Sequence, residues 1–523
     1  MGNACVASRA QWGLAAPPVT VEVHLGSGLP TFSIVGMPAT AVKESKERVR
    51  AALANSGFEF PAGRITVNLS PADLPKEGCR YDLPIALGIL LAMGQVEFSE
   101  AVLANFEFYG ELGLAGELKP IRGVLLAAAH AARAGRSVVV PAANVAEARL
   151  AASATTLGVE TLLGVCALPG LRGARDVADA PAPLLQSTPF AGAAIPDLAD
   201  VRGQPFAKRA LIVAAAGGHS ILLVGPPGTG KSMLAQRLPG LLPALEGADA
   251  LDVASIASVS SRGFEPRDYG RRPFRAPHHT ASAGAIIGGG PRAAPGEVSL
   301  AHRGVLFLDE LPEFNRSVLE SLREPLESGV VAIARAAARL EYPARFQLVA
   351  AMNPCPCGYL GDVSGRCRCA PPLIARYRAR ISGPLLDRID LRVEVPAPAS
   401  DELLGEGERQ DARLSTAGAA PRVRVAHDLQ RARSGKLNAD LVGSELAEFC
   451  RLDRYCRRLL AQARAKLELS ARGVHRVMRV ARTIADLELA DLESVAANAG
   501  ELMNQPLSPA HLAEALQLRR AIV

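Results

Sequence analysis

A chain of 523 residues has room for about three domains, each able to bury a core of its own. Its residues are 49% hydrophobic, but much of that is alanine and no run has the unbroken apolar length that a transmembrane helix requires. A net charge of +6 with a pI near 8.9 permits a polyanionic partner without demanding one. The start, MGNACVASRA, shows neither a basic-then-apolar leader nor a myristoylation pattern, so the expected location is the cytoplasm. There the nine cysteines are expected as reduced thiols or metal ligands.

In chain order, Val19 to Leu25 alternates as a strand does, and Phe32 to Val35 repeats the signal. The pattern then predicts a helix from Ala39 to Ser56, a strand from Arg64 to Leu69, a helix from Leu83 to Met93 and a strand near Phe106 to Leu112. A helix over Val124 to Ala134 and a strand over Ser137 to Val140 follow. This is an expected α+β domain over residues 1–165. Residues 166–198, rich in Ala and Pro, have the composition of a tether.

Ile221 to Ser232, ILLVGPPGTGKS, is a short apolar run breaking into a glycine-rich loop, the full G-x4-G-K-S/T pattern ahead of the helical MLAQRL. Gly225, Pro226, Pro227, Gly228, Thr229 and Gly230 form a loop whose N–H groups can turn inward to an anion. Lys231 reaches the β- and γ-phosphates of ATP, and Ser232 offers a hydroxyl to Mg²⁺. The helix expected from Val201-Arg202-Gly203-Gln204 should carry its apolar face through Phe206, Leu211 and Val213. Downstream, Val305 to Leu308 is a buried strand ending in Asp309, placed to hold Mg²⁺ through water, and Glu310, placed to polarise the attacking water. Phe346 to Met352 delivers the neutral amide of Asn353, which can orient that water. Gly383 to Asp390 carries Arg388, beyond the core, where it could complete a neighbouring subunit's site, and Arg472 opens a late helix from which it could reach phosphates.

Three further stretches could touch a substrate or a metal. Residues 262–297, with His278, His279 and Arg292, form an arginine-rich, glycine-hinged insertion whose histidines suit a packed pair better than a metal site. VVAIARAAARLEYPARF reads as a hairpin with Arg335 and Arg339 at its tip, either a solvated turn or a track for a phosphate backbone. Cys355, Cys357, Cys367 and Cys369 form a C-x-C-x9-C-x-C array that suits a structural zinc site, with a group of reduced thiols as the alternative. After a charged, glycine-punctuated link at 400–420, residues 421–523 show helical periodicity and a basic surface.

PADLPKEGCRYDLPIALGIL and GELGLAGELKPIRGVLLAAAHAARAG resemble the protease domain of the Lon family. The positions matching its serine and lysine are Arg80 and Leu125, so the resemblance implies the fold without the protease chemistry. The motor motifs, with RPFRAPHHTASAGAIIGGG, VLFLDELPEF and ELSARGVHRVMRVARTIADL, resemble the magnesium-chelatase-like AAA+ ATPases and, within them, the ComM/YifB family. That resemblance implies an α/β AAA+ core over 199–399 with a carboxyl-terminal helical lid, and a homohexamer with ATP between subunits. It assigns Walker A to Lys231 and Ser232, Walker B to Asp309 and Glu310, sensor one to Asn353, an arginine finger to Arg388 and sensor two to Arg472. It also implies a helicase acting on single-stranded or branched DNA in natural transformation, with a possible protein partner for the amino-terminal domain. The alternative is a protein-remodelling or metal-insertion motor of the chelatase type.

Overall fold

Period-two alternation builds the first sheet of the structure, a computed structural model that describes residues 2–151, 155–168, 196–290, 293–335, 338–361, 365–397, 411–491 and 505–519. Val19, Val21 and Val23 of the strand Pro18–Gly26 point inward with Ile65, Val67 and Leu69 of Arg64–Ser70, while Thr20 and His24 face solvent. Gly2–Arg9 and Arg64–Ser70 flank Pro18–Gly26 antiparallel, and Thr31–Val35 adds in parallel as the far edge. The inward face is covered by the helix Asp82–Ala92, in which every residue from Asp82 to Leu90 is buried. Its one charge, Asp82, accepts hydrogen bonds from Ser45 Oγ at 2.5 Å and Arg48 Nε at 2.7 Å, which offset part of the cost of burying a carboxylate, although burial still raises its pKa. A second, parallel sheet orders Phe106–Phe108, Ser137–Pro141 and Thr156–Val159.

Two local readings change. The strand Gly2–Arg9 goes unannounced in the sequence because small residues blur its alternation, although Val6 and Ser8 face inward. The helix expected over residues 39–56 is broken at Glu44 into Thr40–Lys43 and Ser45–Asn55.

The chain divides into two compact units, Met1–Gly192 with Glu246–Gly270, and Ala193–Leu245 with Arg271–Val523. The first unit therefore takes a helix, Gly247–Val259, from the stretch assigned above to the ATPase core. The reason is local. Ala254 packs on Leu125 and Leu150, Gly123 N–H donates to Ser258 O at 3.1 Å, and Ser258 Oγ donates to Glu147 at 2.5 Å. Arg80 is buried nearby, donating to Gln11 Oε1 and Arg122 O, both at 2.8 Å, and Leu125 is fully enclosed.

The second unit is built on a five-stranded parallel sheet ordered Phe274–Arg275, Val305–Leu308, Gln347–Met352, Ile221–Val224 and Leu391–Glu394. The strands Ile221–Val224, Val305–Leu308 and Gln347–Met352 are buried throughout, which is why they read as unbroken apolar runs rather than alternating ones. The helix Pro205–Gly217 packs on this sheet through Ala207, Ala210 and Leu211; Phe206, expected on that apolar face, is 42% exposed instead. The helices Thr416–Ser434, Ala471–Ala490 and Pro509–Gln517 share the same core cluster through Val423, Val477 and Leu512. Thr416–Ser434 begins inside the span read as a link. Ser415 caps it by accepting from Gly418 N at 3.1 Å, while Gly418 and Pro421 in its first turns disguise the period. Most of the two expected links, residues 169–195 and 398–410, lies outside the described residues, as does Arg292. Among the described residues no helix is long and apolar enough to cross a membrane.

His302 gives this unit an acid-sensitive point. Its Nδ1 accepts the Arg345 backbone N–H at 3.0 Å, which requires a neutral ring, and burial with Arg303 and Arg345 beside it lowers its pKa from 6.5 to about 3. With the folded value below the unfolded one, the stabilisation is full above pH 6.5 and is lost as pH falls toward 3. The expected loss from this residue at pH 5 is about 2 kcal/mol. Denaturant titrations at pH 7.5 and pH 5 check it: His302→Gln, which keeps an acceptor without the titration, should lose less stability between the two.

Candidate active site

Register brings the site together. In the parallel sheet Val224 pairs with Met352 and Leu308 with Ala350, so the residues just past these strand ends emerge along one carboxyl edge. Those residues are Gly225, Asp309 and Asn353, the crevice in which open α/β sheets bind ligands. Gly225 N–H donates to Met352 O at 3.2 Å, and a Cβ there would lie 2.1 Å from Val395 O, so only glycine passes beneath the neighbouring strand. Thr229 Oγ1 donates to Pro226 O at 3.0 Å and pins the loop, and Gly228 and Gly230 adopt φ of 79° and 87°.

Lys231 starts the helix Lys231–Leu241 and bends back over the loop. Its Nζ donates to Gly225 O and Pro226 O at 2.7 Å each and to Asn353 Oδ1 at 3.2 Å. Desolvation lowers its pKa from the usual lysine value, opposed by Asp309 and Glu310. Ser232 Oγ donates to Asp309 Oδ2 at 2.6 Å. This hydroxyl–carboxylate pair beside an ammonium matches the oxygen donors a hard cation such as Mg²⁺ takes when it bridges to phosphate. Glu310 follows with φ of 52°, its N–H on Asp309 Oδ1 at 2.9 Å and its carboxylate more than half exposed.

Sequence reasoning missed one neighbour of that carboxylate. His279 Nδ1 lies 3.3 Å from Glu310 Oε2, its ring 4.1 Å from that of His278 and edge-on to Phe314. His278 is turned away, onto Thr280 Oγ1 at 2.8 Å. The signal is the pairing of Arg275 with Leu306: His279 and Glu310 each follow four residues later, beyond the ends of both strands. The strand carrying Arg275 is only two residues long, too short to find by period. His279→Ala should free Glu310 and lower the turnover of ATP about tenfold while leaving nucleotide affinity unchanged, and His279→Asn should recover part of the loss. Parallel measurements of kcat and ATP dissociation constant separate the two effects.

The remaining candidates lie apart from this cluster. Arg388 is ion-paired through Nη2 with Glu327 and donates through Nη1 to Pro384 O at 2.7 Å, and its side chain is 7% exposed. Arg472 Nη1 lies 3.5 Å from the same Glu327 carboxylate. Among the described residues, no hydrogen bond or ion pair joins either arginine to Lys231, Ser232, Asp309 or Asn353. The hairpin forms from Val330–Arg335 and Ala338–Pro343, anchored by Tyr342 O–H on Ala293 O at 2.9 Å. Arg339 is exposed near its tip, 3.4 Å from Glu341, and the Arg335 side chain lies outside the described atoms. The four thiols gather directly after Asn353, all within 4.8 Å of one another. Hydrogen bonds from the backbone of Tyr359 and from Cys355 pull the Cys357 thiol down to about 6.

A phosphate loop, an acidic strand end and a polar amide aligned on one edge of a parallel sheet define a P-loop protein of the AAA+ type. Family models agree along the chain: magnesium chelatase, subunit ChlI, matches residues 197–403, subunit ChlI of Mg-chelatase matches 21–144, and its carboxyl-terminal model matches 413–519. The chain is 48% identical to YifB of Salmonella typhimurium over 492 residues, 94% of each protein. It is 46% identical to competence protein ComM of Haemophilus influenzae over 523 residues, all of this chain and 98% of that one. A magnesium-chelatase 38 kDa subunit from Cereibacter sphaeroides is 27% identical over 217 residues, 38% of this chain and 58% of that subunit. The chain belongs to the ComM/YifB family of magnesium-chelatase-like proteins.

Proposed function

We propose that this protein is an ATP-driven DNA motor, a hexameric helicase that drives branch migration of incoming DNA during natural transformation. The observation that carries the reading is similarity from end to end with a protein named for competence, in a chain whose Lys231, Ser232, Asp309 and Asn353 meet at one sheet edge.

In this reading the loop from Gly225 to Gly230 wraps the phosphates and Lys231 exchanges its carbonyl partners for phosphate oxygens. Ser232 and Asp309 would hold Mg²⁺, which would supply charge neutralisation to the phosphates when bound. Glu310 accepts the proton of the attacking water that Asn353 orients, and His279 holds Glu310 in place. Arg388 and Arg472 serve the site of an adjoining subunit. The carboxyl-terminal helices act as the lid, the four cysteines hold zinc, and the first unit is a Lon-like domain that docks a partner without cleaving peptides. Arg339, with Arg335 and Arg292, tracks the phosphate backbone without reading bases. The protein works in the cytoplasm.

The test is the ATPase rate with and without single-stranded and branched DNA, with oligomer size followed in parallel. Stimulation of several-fold or more with ATP-dependent rings supports the motor; no change in either removes the role given to the hairpin arginines. The chelatase-type reading, favoured by the partial match to the 38 kDa subunit, instead expects stimulation by a protein partner and none by DNA.

A further inference from the structure

We infer that Cys355, Cys357, Cys367 and Cys369 hold a zinc ion whose task is to brace the phosphate loop, so that ATP affinity depends on the metal. The inference rests on Gly225 to Ser232 being the nucleotide site.

The donor set fits the metal. Zinc bound to thiolates at about 2.3 Å in a tetrahedron sets sulfur–sulfur edges of about 3.8 Å. The Cys355–Cys367 and Cys357–Cys367 separations are 3.8 and 3.7 Å, and Cys355–Cys357 is 3.3 Å. These are too long for disulfides, which bond at about 2.05 Å, and all four cysteines are free. Four protein ligands leave no open position, which marks a structural site rather than a catalytic one.

The coupling lies in what the first thiol pair sits against. Cys355 is fully buried two residues beyond Asn353, whose Oδ1 accepts from Lys231 Nζ. Pro354 O is held by Arg378 Nε and Nη2 at 3.2 Å each. After Cys357 the chain turns at Gly358, with φ of 85° and its N–H on Cys355 O at 2.9 Å. A Cβ on Gly358 would lie 2.7 Å from Pro227 Cδ and 3.8 Å from Asn353 Cγ, so this turn rests on the phosphate loop itself. Tying the turn to Cys367 and Cys369 fixes it there. Among the described residues the two halves of the array meet through weak thiol contacts and through the Arg366 guanidinium, 4.3 Å from the Tyr359 ring centroid, and four zinc–sulfur bonds would tie them far more firmly.

The test uses the full-length protein. Metal content is measured directly, and ATP affinity is measured with a fluorescent ATP analogue before chelation, after it and after adding back Zn²⁺. The same measurements are made on a Cys367→Ser/Cys369→Ser double variant and on Gly358→Ala, with melting curves to confirm folding. The expected result is about one zinc per chain and an affinity that falls about tenfold on metal removal and recovers with Zn²⁺. Gly358→Ala should keep the metal yet bind ATP more weakly, because the added Cβ meets Pro227. A chain that neither retains nor takes up zinc overturns the metal site. Zinc that can be stripped with no change in affinity, together with an unaffected Gly358→Ala, overturns the coupling. Zinc-loaded wild type that binds no ATP overturns the nucleotide reading and the inference with it, and is told apart because the metal content is intact.

Discussion

Lys231→Ala is expected to reduce ATP hydrolysis by about 10²- to 10³-fold or more, the scale set by losing a principal charge contact to the transferred phosphoryl group. Lys231 is 8% exposed and its ammonium already faces inward, held by two loop carbonyls and the Asn353 amide. Those bonds are already charge-assisted through the ammonium, and phosphate oxygens would add to them the direct attraction of opposite charges. Alanine leaves that negative charge without a compensating cation. It costs the resting fold three hydrogen bonds at a partly solvated loop, so the protein should remain folded, with a stability change of about 1–2 kcal/mol. Lys231→Arg should rescue little, because a planar guanidinium does not fit where a compact ammonium sits among three oxygens. Steady-state ATPase assays with melting curves on both variants check this. A Lys231→Ala chain that hydrolyses ATP at the wild-type rate would remove the loop from the chemistry.

Much of this site was legible because each part is local. The loop glycines, Lys231 and Ser232 occupy consecutive positions, and Asp309 and Asn353 each directly follow a buried apolar strand. What escaped depends on pairing between segments distant in sequence. His279 reaches Glu310 only through the register of a two-residue strand with Val305–Leu308. Gly247–Val259 reads as part of the ATPase core by position, yet Ala254 and Ser258 attach it to Leu125, Gly123 and Glu147. Phe206 fits a helical period, but a period gives only the spacing of a face and leaves open which neighbour covers it. The thiol array was readable as spacing, whereas the contact of Gly358 with Pro227 required the fold.

Arg388→Ala is expected to lower turnover by about 10³-fold, as loss of an arginine that stabilises charge on the transferring phosphoryl group does, and the manner of its rescue decides where that arginine acts. Arg388 and Arg472 both meet Glu327, and among the described residues Arg388 Nε has no hydrogen-bond partner. Glu327 is held below the usual carboxylate range chiefly by Arg388, so the pair is charged and attractive. Two arginines sharing one carboxylate present a single cationic patch, which an anionic phosphate brought by a second copy can take over from Glu327. Arg388→Ala chains keep Lys231, and Lys231→Ala chains keep Arg388. In an equal mixture of these two inactive proteins, about one quarter of the interfaces of a randomly assembled cyclic ring would carry both intact halves. ATPase activity recovering toward that fraction of wild type requires Arg388 to act across a subunit boundary. A mixture as inactive as its components, with mixed oligomers verified, would return Arg388 to the role its contacts already describe, a brace between Glu327 and Pro384.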